Sequence, residues 1–233
     1  MFKIIYNIIH LINYTSKIIL FIMSYFVILY SLKIYIGNEN YVIFFILLLI
    51  MIYKNYLIFN LKKNYYKKSV QNNILVNNKI NKIIEKTCNL ATLSVNNGCG
   101  PFGCIITDKN FNIVSKEHNR VTELNDPTAH AEINAIRSAC KKINNFNLKE
   151  YILFTSCEPC PMCLSAIYWS RIKKIYYSNN REDAKKIGFD DEYFYEQLNK
   201  KINERDIIMQ RIKSYNSLES FELWNKKNNK ISY

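Results

Sequence analysis

Pro127-Thr128-Ala129-His130-Ala131-Glu132 and Ser156-Cys157-Glu158-Pro159-Cys160-Pro161-Met162-Cys163 are the two stretches around which the chain is read. His130 offers a neutral imidazole, and Cys160 and Cys163, in a Cys-x-x-Cys step, can turn two thiolates toward one ion. Zinc prefers four ligands, so a His/Cys/Cys set leaves one position for water, the mark of a catalytic rather than a structural zinc. Glu132, two residues past His130, is too close to serve as a convenient fourth ligand but is placed to reach that water. It is the natural proton carrier.

The chemistry follows from charge. Zinc lowers the pKa of a water it holds to about 7, which makes a nucleophile available at neutral pH. Glu132 can accept the released proton and return it to a ring nitrogen and then to a departing amine. The reaction is hydrolytic deamination, with one zinc ion per subunit. An H-x-E followed downstream by P-C-x-x-C is the pattern of the zinc-dependent nucleobase deaminases, and the chain resembles that superfamily. Taken alone, Cys-x-x-Cys also fits a redox pair, a buried pair or half of a structural zinc site. His130-Ala131-Glu132 and the flanking prolines favour the catalytic reading. Cys88, Cys99, Cys104 and Cys140 read as small core residues, and Cys157 as packing behind the site.

Seven cysteines in 233 residues, three of them within seven positions, do not form the even, dispersed set of a disulfide-stapled secreted domain. A reducing compartment is expected. The net charge of +13 is uneven, with eight Lys against one Glu up to residue 73 and 24 basic against 18 acidic residues beyond it. The Lys residues are scattered among Asn and Ile with no continuous basic stripe, so a solvated surface is favoured over a nucleic-acid groove.

Two apolar runs open the chain. Ile18 to Leu32 is uncharged and continues past Lys33 to Ile36, and Tyr41 to Tyr53 continues past Lys54 to Phe59. Each approaches the length that crosses about 30 Å of hydrocarbon, and Gly37-Asn38-Glu39-Asn40 separates them, so a membrane hairpin through residues 18–59 is expected. Lys62, Lys63, Lys67 and Lys68 after the second run, with Lys3 and Lys17 before the first, put both termini and the catalytic part on the cytosolic side. If the runs are no anchor, the expectation is a cytoplasmic enzyme. The implied division is a hydrophobic N-terminal segment with a Lys-rich connector, 1–73, and a deaminase domain, 74–233.

Residues 61–78 read as the connector into a helix, with Ile80, Ile83, Ile84, Thr87, Leu90 and Ala91 at helical spacing to about Val95. Asn96-Asn97-Gly98-Cys99-Gly100-Pro101 stops it. Phe102 to Thr107 and Ile113 to Lys116 read as a hairpin. A helix is expected from about Ala129, a strand over Tyr151 to Thr155, a helix from Pro161, a strand over Ile172 to Tyr177, and a helix-rich tail. That order predicts a three-layer α/β/α sandwich with a mixed sheet. Both ligand sets then fall at helix starts, where free amides and partial positive charge favour thiolate.

The residues also support a narrower likeness. Asn125 to Glu132, Thr155 to Cys163, Ala166-Ile167-Tyr168-Trp169 and Ile187-Gly188-Phe189-Asp190-Asp191 together resemble the bacterial-type guanine deaminase family over roughly residues 80–233. The resemblance implies a cytidine deaminase-like sheet of five strands, zinc at His130, Cys160 and Cys163, and catalytic roles for Glu132 and Asp191. It also implies Asn119, Phe102, Ala131, Trp169 and the terminal Tyr233 around a purine base. A homodimer is implied, with the C-terminal tail of one subunit closing the site of the other. Guanine would be hydrolysed to xanthine and ammonia. A tRNA adenosine deaminase or a cytosine-type deaminase shares the His-Ala-Glu and Pro-Cys steps. An inactive membrane-bound interaction module is the reading of another class. The hydrophobic leader and Asn225 to Ser232 depart from the family pattern.

Overall fold

The computed structural model describes residues 38–231. The first apolar run and Tyr233 therefore lie outside the described residues. The second run is helical, part of α1, Asn38–Asn96. The structure departs from the sequence-based expectation in two respects. The helix does not pause at the expected connector over 61–78, because no Pro or Gly stands between Asn38 and Asn97 to interrupt its hydrogen bonds. Among the described residues, no helix is long and apolar enough to cross a membrane. The uninterrupted apolar run from Tyr41 to Tyr53 falls short of the roughly 20 residues that a span needs, and Lys54-Asn55, Asn60 and the lysines beyond it interrupt the rest.

The chain divides into two compact units at Asn72/Asn73. The second contains β1 (Gly103–Asp108), β2 (Ile113–His118), α2 (Val121–Leu124), α3 (Ala131–Ile143), β3 (Tyr151–Cys157), α4 (Pro161–Trp169) and β4 (Lys174–Asn179). After these come α5 (Arg181–Lys186), α6 (Glu192–Asn199), a 3-10 turn at Ile202–Glu204 and α7 (Glu219–Lys226). The sheet order is β2-β1-β3-β4. β1 pairs antiparallel with both β2 and β3, and β3 pairs parallel with β4, so the sheet is mixed as expected. It has four strands among the described residues rather than five. Beyond β4 the chain forms short helices, and residues 208–214, exposed throughout, have no regular structure and pair with no strand.

Alternation along the strands builds the layers, because successive side chains leave opposite faces of a sheet. Ile105 and Phe154 point to one face and meet Ile83, with Ile80, Ile84 and Leu90 of α1 packed around them. Cys104, Ile106 and Leu153 point to the other face and meet Ala131, Ala135 and Ala139 of α3 and Ile167 of α4. At Gly103 the helix layer comes closest. A Cβ there would stand 2.3 Å from the Thr87 carbonyl oxygen and 2.8 Å from the Ala91 nitrogen, so only glycine admits α1 at this depth. α1 ends where Gly98 turns at φ +75°, the left-handed conformation that a helix C-terminus commonly needs. The chain is thereby delivered to the loop at Gly100-Pro101-Phe102.

Candidate active site

His130 is the N-cap of α3 and Cys160 the N-cap of α4, with Pro161 at its first position. Pro suits that position because its missing N–H would have had no intrahelical acceptor. The two helix starts thus converge. Nδ1 of His130 lies 3.6 Å from Sγ of Cys160 and 3.5 Å from Sγ of Cys163, and one ligand atom from each residue falls within 4.8 Å of the others. Tetrahedral zinc with N and S bonds of ordinary length separates such atoms by about 3.6 Å, so the donor set fits the ion in identity and in spacing. Cys88, Cys99, Cys104, Cys140 and Cys157 are free thiols outside this group.

Charge is arranged to match. A hydrogen bond from Cys163, with His130 adding to it, draws the Cys160 thiol down to about 4. Donation to Cys160, together with burial, pushes Cys163 far above the ordinary thiol value. His130 is raised, chiefly by its hydrogen bond to Cys160. Cys157, by contrast, is pushed up to about 11 by burial and donates to the Asn180 carbonyl, 3.6 Å away. It packs as an inert thiol beside the site.

Glu132 sits in the first turn of α3 and is 4% exposed. Its Oε1 accepts from the Thr155 hydroxyl at 2.8 Å, and its Oε2 lies 3.5 Å from Cys163 Sγ. Burial raises its pKa, with Thr155 partly opposing the rise. A carboxyl group so placed holds and releases protons closer to neutrality than a solvated one. Thr155 escaped the sequence reading because a Thr on a buried strand carries no signal of its own; only the sheet register aims it at Glu132.

Asn119 and Phe102 come together. The backbone N–H of Asn119 donates to the Phe102 carbonyl at 3.0 Å, and a Cβ on Gly100 would meet Asn119 Cγ and the Phe102 ring at 3.3 Å each. Asn119 Oδ1 accepts from the Val121 amide at 3.1 Å, an assignment that turns Nδ2 toward Gly100. Ala131, wholly buried, opens α3 between His130 and Glu132. Asp191 is the N-cap residue of α6 but makes no side-chain capping bond. Its pKa is raised by burial and then by the Cys160 charge, with His130 opposing. Phe189, two residues earlier, meets Phe102 edge-on with centroids 5.0 Å apart. It joins the segment that carries Asp191 to Phe102, a link that sequence spacing did not reveal.

Trp169 is not brought to this group. It ends α4, about 9 Å of helical rise beyond Cys163, and is 64% exposed. Beyond Ala184 no described residue is buried, and Ile207, Ile208, Ile212, Tyr215 and Phe221 stand exposed.

Comparison with known proteins is consistent with this geometry. The profile of the cytidine and deoxycytidylate deaminase zinc-binding region matches residues 77–179. Guanine deaminase of Bacillus subtilis strain 168 is 44% identical over 151 residues, which are 64% of this chain and 96% of that protein. The chain belongs to the bacterial-type guanine deaminase family. Its cofactor is one zinc ion, and it is a hydrolytic deaminase. The X-ray structure of the Bacillus subtilis guanine deaminase overlays with a TM-score of 0.63 at 42% identity, covering 66% of this chain and 98% of that one. The tRNA-specific adenosine deaminase of Aquifex aeolicus is 49% identical, but over 78 residues that make up 34% of this chain and 51% of that protein.

Proposed function

We propose that the chain hydrolyses guanine to xanthine and ammonia, with the catalytic domain over residues 74–233 and the hydrophobic segment 1–73 outside the chemistry. The observation that carries this is the pairing of a zinc-fitting His130/Cys160/Cys163 group with a buried carboxyl, Glu132, whose Oε2 lies 3.5 Å from one of the ligands. The near-full coverage of the Bacillus subtilis guanine deaminase supports the choice of base.

Zinc held by His130, Cys160 and Cys163 supplies the Lewis acidity that makes water nucleophilic near neutral pH. Glu132 takes a proton from the attacking water and delivers it to a ring nitrogen of the base. It carries a second proton to the amine, which leaves as ammonia when the bond from guanine's C2 to that nitrogen breaks. Thr155 keeps one carboxyl oxygen fixed while the other moves protons. With Oδ1 engaged by Val121, Asn119 presents an N–H donor, which suits the acceptor atoms of a purine. Phe102, held by Phe189, forms an aromatic wall, and Ala131 lines the helix start. Asp191 accepts from the donor-rich edge of guanine.

The working unit in this reading is a homodimer. The exposed apolar residues of the tail gain cover from a second copy, and the terminal Tyr233 is assigned to closing the site on the family likeness alone. Guanine turnover is tested beside adenine, cytosine and a tRNA anticodon stem-loop. A tRNA-only activity would replace the guanine assignment with the tRNA reading.

A further inference from the structure

Ser94 is wholly buried near the end of α1, and it makes contacts that a core serine does not need for its own satisfaction. Its hydroxyl oxygen lies 2.6 Å from the Gly100 carbonyl oxygen and 3.0 Å from the backbone carbonyl oxygen of Asn119, which is 25 residues away in sequence. Both carbonyls belong to the two strips of chain that carry the expected base-contacting groups. The Gly100 carbonyl also accepts from the Phe102 amide at 2.8 Å. The Asn119 carbonyl also lies 2.8 Å from His118 Nδ1, which must donate there because a carbonyl only accepts. One hydroxyl thus ties the Gly100-Phe102 turn to Asn119, at the place where a Cβ on Gly100 would touch both side chains. The tie comes from the helix layer, behind the pocket, and neither the metal-ligand group nor Glu132 takes part in it.

We propose that Ser94 is a positioning residue for base recognition, fixing Asn119 and the Phe102 wall relative to each other so that the Asn119 amide meets the purine in one orientation. The inference rests on the proposed role of Asn119 in binding the base. A hydroxyl shared between two buried carbonyls loses rotational freedom on folding rather than on binding, so the pocket is held in its binding shape before the base arrives. Removing it frees Asn119 to take orientations that do not bind, which weakens substrate binding while leaving proton transfer by Glu132 intact.

The test uses the zinc-loaded full chain and whichever base the parent enzyme turns over, with hypoxanthine, which lacks the amine, as a non-reacting competitor. Ser94→Ala is expected to raise KM and the hypoxanthine inhibition constant three- to tenfold, with kcat within twofold and zinc content unchanged. In an Asn119→Ala background the same change should have no further effect on KM, because the group that Ser94 positions is gone. Asn119→Ala without effect on KM would refute the binding role of Asn119 itself. A normal Asn119→Ala loss beside an unchanged KM in Ser94→Ala would overturn the role of Ser94 alone, as would a Ser94→Ala loss that persists undiminished in the Asn119→Ala background. Should Ser94→Ala fail to fold with zinc, Ser94→Cys keeps a weak donor in place. An intermediate rise in KM at constant kcat supports the proposal, and a fall in kcat or zinc at constant KM contradicts it.

Discussion

At the scale of single residues the site separates the tasks of holding the metal and moving protons. Glu132→Gln preserves shape but cannot carry a proton, so kcat should fall by about 10²–10⁴-fold with zinc content unchanged, measured by ammonia release and metal analysis on the same preparation. Turnover within tenfold of the parent would remove Glu132 from its role. Thr155→Val leaves the buried carboxyl short of its 2.8 Å donor. A hydrogen bond to a charged group contributes about 1.5–3 kcal/mol, so kcat should drop by roughly tenfold or more while KM stays near the parent value. Cys160→Ser and Cys163→Ser should lose zinc and activity together, because a hydroxyl is a poor substitute for thiolate and metal binding is coupled to folding. A full zinc complement in either variant would break the ligand assignment. The grouping of His130, Cys160 and Cys163 with Glu132 beside them was legible in the sequence because metal chemistry demands particular residue types at fixed spacing. The contacts of Thr155, Phe189 and Ser94 were not, since they arise from sheet register and loop packing that bring distant residues together.

At the scale of elements, two helix N-termini meeting beside one strand end create the site, and the depth at which α1 docks sets where the Gly100 turn begins. Gly103→Ala tests that depth. With a Cβ 2.3 Å from the Thr87 carbonyl, the helix must shift, and overpacking of this kind costs about 1–3 kcal/mol. Chemical denaturation should show the loss, and KM should rise because the Ser94 tie moves with the helix. Unchanged stability would mean that α1 does not press on β1. The hairpin, the two site helices and the alternating strands were readable from periodicity and from Gly and Pro punctuation. The continuity of α1 was not, because a polar Lys- and Asn-rich composition reads as a connector although nothing in it stops a helix. The fifth strand expected from the family likeness is absent among the described residues, where the chain beyond β4 forms only short helices and irregular structure.

At the scale of the whole molecule, the proposed function places the chemistry in residues 74–233 and covers the exposed apolar tail with a second copy. The zinc-loaded domain should elute as a dimer, and removing Tyr233 should weaken guanine turnover without loss of metal, because an open site readmits water. A fully active monomer would contradict the shared site. Substrate identity is tested most directly by incubating the purified zinc enzyme separately with guanine, adenine, cytosine and a tRNA anticodon stem-loop, and following products by mass spectrometry. Xanthine and ammonia in equal amounts from guanine are expected, with Asp191→Ala reducing that turnover at constant zinc. Inosine from the stem-loop with guanine left untouched would contradict the guanine reading.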